Sequence, residues 1–178
     1  AHLGTQVAPG GWGDRIGVGD YEEPLAAYLL EADAVINVPF LKTHQVAGMS
    51  GCMKNLSHAV IRHPARHHGN GCSPAVAQVI GSQPVSARVK LNIVNALRIV
   101  VDKGPDAEEQ HLEDYGGLLV GFDPVACDSV GLGLLAVERR RRNINGPVEV
   151  RYLSAAGDRG VGRWHPADIR RTGLIVTD

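Results

Sequence analysis

The chain is poor in cysteine, in charge of either net sign and in long apolar runs. Its three cysteines, Cys52, Cys72 and Cys127, form neither an even-numbered framework nor a C-x-x-C pair, so nothing reads as a disulfide scaffold. Zinc or an iron–sulfur cluster held by these thiols alone is not expected, since both need more ligands at closer spacing. No apolar run approaches the roughly 18 residues of a membrane span. A net charge of -1 and a pI near 6.8 leave no basic footprint for nucleic acid. The single basic run, Arg139 to Arg142, suits the negative end of a helix dipole. There is no initiating Met and no signal-like segment. The expectation is therefore a mature product, a trimmed chain or a fragment, with a cytoplasmic location favoured and export by a removed signal left open.

The stretch from Asp33 to Ser57 carries the most information. Residues 34–41 form a largely apolar run with β-branched residues and predict a buried strand at about 33–40. The chain then turns polar at Lys42, Thr43 and His44, passes Gly48 and Gly51, and reaches a second polar pair at Lys54 and Asn55. Open α/β sheets bind ligands beyond the carboxyl ends of their strands, so these residues are the first candidates for a site.

The remaining chain reads as alternating strands and helices. Residues 1–19 are Gly-rich and look irregular. Asp20 and Glu23 have capping-box spacing and predict a helix through Leu29. Residues 58–71 look like a long surface or site-lining loop. Ser73-Pro74 predicts a short helix to about Ile80, and strands are expected at 89–95, 118–122 and 173–177. Asp123-Pro124 opens a helix of about 15 residues, and another is expected at 148–156. The pattern predicts one α/β domain over 1–178, with a largely parallel or mixed sheet and helices on both faces.

Several side chains carry possible chemistry. Lys42 or Lys54 can neutralise an anion, Thr43 can donate a hydroxyl, and His44 can move a proton or ligate metal. The glycines at 48 and 51 followed by Lys54 lack Walker spacing and fit a loop-to-helix junction equally well. His58, His63, His67 and His68 could hold a divalent metal, although the interleaved Arg62 and Arg66 suit an anionic ligand better. Asp123 is explained by helix capping. Asp128 shares a helical stripe with Val125, Leu132 and Leu135, and a buried carboxylate there must be paired. Lys42 or Lys54 are its expected partners, in a structural ion pair or in a site.

These residues, with ADAVINVPFLKTH at 32–44, LNIVNALRIVVDKGP at 91–105, LLVGFDPVACDSVG at 118–131 and GDRGVG at 157–162, resemble the bacterial and archaeal domain-of-unknown-function family 362. The resemblance runs from about Glu22 onward and implies an α/β fold. The family's N-terminal portion has no counterpart here, which implies a fragment or a shortened member. Many relatives carry ferredoxin-like cysteine clusters and some carry twin-arginine export signals. Neither is visible here, so an iron–sulfur centre is not expected in this chain.

Carried over by position, the family's polar positions fall on Lys42, Thr43, His44, Lys54, Asn55, Asp123 and Asp128, with His67 or His68 as the loop histidine. By residue type, His44, Lys42 and Lys54 are the catalytic candidates if the protein is an enzyme, and Thr43, Asn55 and Asn95 the ligand-binding ones. His44, Asp123, Asp128 and His67 or His68 become candidate metal ligands. Relatives usually have Asp where this chain has Asn95, and losing that charge would weaken a hard-metal site. The expected function is a pocket for an anionic small molecule or a metal–anion pair, with or without catalysis, in a chain that could self-associate. Ser50 and Cys52 are nucleophile candidates by proximity alone. The alternative is a non-catalytic partner-binding domain whose polar clusters are ion pairs.

Overall fold

The computed structural model describes residues 8–173. The apolar run at 33–44 forms one strand path, interrupted at Val38-Pro39 because proline has no N–H to offer the ladder. Its halves are β3 (Val35–Asn37) and β4 (Phe40–His44), both parallel to the same side of the long strand β6 (Val89–Val100). At the break, the Asn95 N–H donates to the Pro39 carbonyl at 2.7 Å. Lys42, Thr43 and His44 thus lie within a strand rather than in a loop beyond one. That corrects the expected strand end at residue 40.

The chain next reverses into β5 (Gly48–Ser50), antiparallel to β4 with His44 opposite Gly48. Gly48 is required there. Its φ is +77°, and a Cβ would sit 1.9 Å from the Glu149 carbonyl oxygen. A further strand, β7 (Leu112–Gly121), lies antiparallel on the other side of β6. The sheet is mixed, its inner pairings parallel, and the fold is α/β.

Two helices cover this sheet directly. One is α2 (Cys52–Val60), in which only Asn55 and Ala59 are exposed. The other is α5 (Pro124–Arg141), which brings Gly131 against Leu41 and Cys127 against Gly121. Helices α3 (Ala75–Gly81) and α6 (Arg151–Asp158) pack behind them. Among the described residues the helical cover lies on one sheet face. Side chains of the opposite parity, including Ile36, Phe40, Leu97, Leu118 and Val120, are more than half exposed.

The covered face contains a buried asparagine array. Asn37 Nδ2 donates to Asn92 Oδ1 and to the Cys52 carbonyl, each at 3.0 Å, and Asn55 Nδ2 donates to Asn37 Oδ1 at 2.9 Å. Asn92 Nδ2 continues to the carbonyls of Gly121 and Phe122. β3, β6, β7 and the start of α2 are therefore joined through amides.

Other expectations need correction. Residues 12–26 form a hairpin, β1 (Trp12–Val18) against β2 (Tyr21–Ala26), and the helix α1 is only Ala27–Glu31. Pro24 would remove an N–H from the expected helix. The Glu23 carboxylate also serves elsewhere, taking His63 Nδ1 at 3.1 Å and His67 Nε2 at 3.0 Å. Residues 58–71, expected as a surface or site-lining loop, are largely helical. α2 extends to Val60, and two 3₁₀ turns (Pro64–His67 and Gly69–Cys72) fold back over it. β6, β7 and α5 are all longer than expected, and the helix expected at 148–156 begins at Arg151. The strand expected at 173–177 falls, from Leu174 on, outside the described residues. The arginines ending α5 are tethers: Arg139 donates to the Val101 carbonyl and pairs with Asp102, while Arg142 donates to the carbonyls of Leu112 and Gln110.

Candidate functional site

Lys54 and His58 are four residues apart on α2 and share its face. Both are more than nine-tenths buried. The β4–β5 hairpin brings His44 to Lys54, with Nε2 3.2 Å from the lysine Nζ. The two 3₁₀ turns bring in His68 and Cys72. The His68 ring stacks on His44 at 5.8 Å between centroids and meets His58 edge-on at 4.9 Å. Ligand atoms of His58, His68 and Cys72 all lie within 4.8 Å of one another. This group could hold a metal ion.

The hydrogen bonds around His44 determine its tautomer. Nδ1 accepts from the main-chain N–H groups of Val46 and Ala47, each at 3.2 Å. A nitrogen that accepts two hydrogen bonds carries no proton, so the neutral ring keeps its proton on Nε2. That proton points at Lys54, 3.2 Å away, where an uncharged amine would accept it. The surroundings agree. Lys54 forms no ion pair with a carboxylate among the described residues, and burial lowers its pKa. Burial is the main cause that pushes His44 down to about 4 and His58 to about 2. Burial also lowers His68 and raises the Cys72 thiol, the latter opposed by Lys54. Low dielectric favours every neutral form here.

On its outer side His44 lines a cavity of about 450 Å³, whose wall also includes Gln45, Lys103, Arg139, Glu149 and Arg151. Lys42 is half-buried on β4, and its charge contributes to the lowering at both His44 and Lys54.

The other candidates lie elsewhere or are engaged. Thr43 Oγ1 accepts from the Gly104 N–H, tying down the loop after β6. Asn55 belongs to the asparagine array. Asn95 Oδ1 accepts from the Leu97 N–H on the uncovered sheet face. His67 is turned to Glu23, away from its neighbour His68. Asp128 is fully buried, but no lysine meets it. Its oxygens accept from the main-chain N–H groups of Cys52 (2.5 Å) and Met53 (3.0 Å), capping α2 from outside. Gly51 makes room, since a Cβ there would lie 2.3 Å from Asp128 Oδ1.

Asp123 caps its own helix, accepting from Val125 and Ala126 through Oδ1 and from the Arg163 N–H through Oδ2. Asp123→Ala should cost about 1–2 kcal/mol in urea unfolding and leave metal content unchanged. A loss of bound metal instead would return Asp123 to the site. Sequence reasoning placed His58 among the candidate histidines but did not single it out, and it considered Cys72 only together with the other two thiols. The four-residue step from Lys54 to His58 was the available signal.

The profile of a family described as Domain of unknown function (DUF362) matches residues 16–133, well over half of the chain. The chain belongs to this family. No curated protein and no solved structure matches it. No helix among the described residues is long and apolar enough to cross a membrane. For this DUF362 protein, the arrangement around Lys54 is thus the primary guide to function.

Proposed function

We propose that the protein binds a small anionic molecule beside His44, with Lys54 as the proton-accepting group and His44 as its fixed donor. The observation that carries this is the pair of main-chain N–H groups on His44 Nδ1. They orient the ring so that Nε2–H serves Lys54, reversing the roles of base and helper that residue types alone suggest. A buried amine without a carboxylate partner is matched by an incoming anion, which supplies the missing charge as the amine takes a proton. Lys42 reinforces the attraction, and the adjoining cavity has room for a small ligand. A neutral, positioned amine also suits acid–base catalysis, so the site has the parts of an enzyme.

Calorimetric titration with inorganic phosphate and with acetate, in the presence of EDTA, tests this reading. Binding should be accompanied by proton uptake, seen as a dependence of the heat on buffer ionisation. Lys54→Met should weaken it by roughly ten- to hundredfold, the value of a charge-assisted hydrogen bond. Equal binding by wild type and Lys54→Met, or no binding of either probe to wild type, overturns the proposal.

A further inference from the structure

We infer that His58, His68 and Cys72 form a transition-metal site with one open coordination position beside the Lys54–His44 pair. The inference does not depend on anion binding. It begins from His58, whose ring is held through Nδ1 by the Ser57 hydroxyl at 3.0 Å, while Nε2 is buried and has no hydrogen-bond partner. An orphaned buried nitrogen costs roughly 1–3 kcal/mol. His58, His68 and Cys72 each offer one ligand atom, and these atoms all lie within 4.8 Å of one another. A tetrahedral centre with metal–nitrogen bonds of about 2.0–2.1 Å and a metal–sulfur bond of about 2.3 Å spaces its ligand atoms about 3.5 Å apart. Small rotamer adjustments would close the group to that spacing.

Support around the ligands has the form metal sites use. Ligating imidazoles present their second nitrogen to a hydroxyl or a carbonyl. His58 does so to Ser57, and the carbonyls of Pro64 and Ala65 lie where they favour protonation of the His68 ring. Cys72 is held at φ +63°, in the left-handed region that a non-glycine residue rarely adopts, which fixes the direction of its side chain.

The donor set selects the metal class. Two imidazoles and one thiolate suit zinc, or cobalt as its spectroscopic substitute, and not the hard ions magnesium or calcium, which take oxygen ligands. Three protein ligands leave a fourth position open, as in catalytic rather than structural zinc sites. The same cluster that stacks His44 on His68 would bring a ligand on that position close to Lys54. Binding releases the thiol proton to solvent and changes no oxidation state.

Cobalt(II) titration of the metal-free protein, followed by absorption without added anion, gives the test. Saturation at one equivalent with a thiolate-to-cobalt charge-transfer band is expected. Cys72→Ser should abolish the band and His58→Ala should weaken binding at least tenfold. His68→Gln serves as a second variant if His58→Ala does not fold, as judged by circular dichroism. Mass-spectrometric metal analysis of protein purified without chelator should find zinc. No cobalt binding by wild type, or a band that survives Cys72→Ser, overturns the site. Since the anion titrations are done in EDTA, failure of either proposal is read separately.

Discussion

Urea unfolding of the metal-free protein should lose about 1 kcal/mol of stability per pH unit on acidification from about pH 6.5 to pH 4. The cause is the histidine cluster. His44 and His58 ordinarily titrate at 6.5, but in the folded chain they do so at about 4 and about 2. Their depressed values stabilise the fold above pH 6.5. Below it the unfolded chain takes up a proton on each ring that the folded chain refuses. Asp128 acts in the opposite direction. Burial raises it from 3.8 to about 7, so the folded chain holds a proton there that the unfolded chain releases over the same window. Two imidazoles against one carboxyl leave a net uptake of one proton on unfolding. His68, also lowered by burial, adds to it. His58→Phe should remove one proton and flatten the profile. A flat profile in the wild type would refute a buried neutral cluster.

Asp128→Ala should cost roughly 2–5 kcal/mol, the cost of two buried donors left without an acceptor. Against the ~5–15 kcal/mol that holds a typical domain together, that is enough to deplete the soluble protein. The main-chain N–H groups of Cys52 and Met53 would face a void where the carboxylate stood, and α2 carries both Lys54 and His58. Asp128→Asn keeps one accepting oxygen and should cost only about 1–2 kcal/mol. Because Asn does not titrate, it also removes the opposing proton. The acid slope should then roughly double, to about 2.2 kcal/mol per pH unit. A fully stable Asp128→Ala would mean that α2 needs no external cap.

The sequence showed which side chains mattered more clearly than it showed what they touched. Helical spacing placed Asp128 on a buried face and required a partner, but a helix start recruited from 75 residues earlier leaves no mark in composition. The cations at Lys42 and Lys54 drew attention because partners are sought among opposite charges. The true partner was main-chain N–H. His44 and Lys54 were legible as individuals. Their pairing depends on the β4–β5 reversal, which Gly48 permits but does not announce. Pro39 concealed the continuity of the strand path through 33–44. At Glu23 the local capping signal lost to a tertiary one, since burial with His63 and His67 outweighs a helix start that Pro24 would weaken. The α/β alternation, carried by long apolar runs, was the most legible feature.

The asparagine array has a consequence for how the sheet finds its alignment. Side chains on a strand alternate, so a one-residue slip of β6 would turn Asn92 outward and drive Ile93 under α2. Among purely aliphatic neighbours such a slip changes little, because valine, isoleucine and leucine substitute for one another at modest cost. Here it would break the bond from Asn37 to Asn92 and those from Asn92 to Gly121 and Phe122, stranding several amide groups in the interior. Wrong registers are therefore penalised more heavily than the correct one is rewarded. Three asparagines thus act as an error check on strand assembly, holding the start of α2, and with it Lys54 and His58, to one position against the sheet.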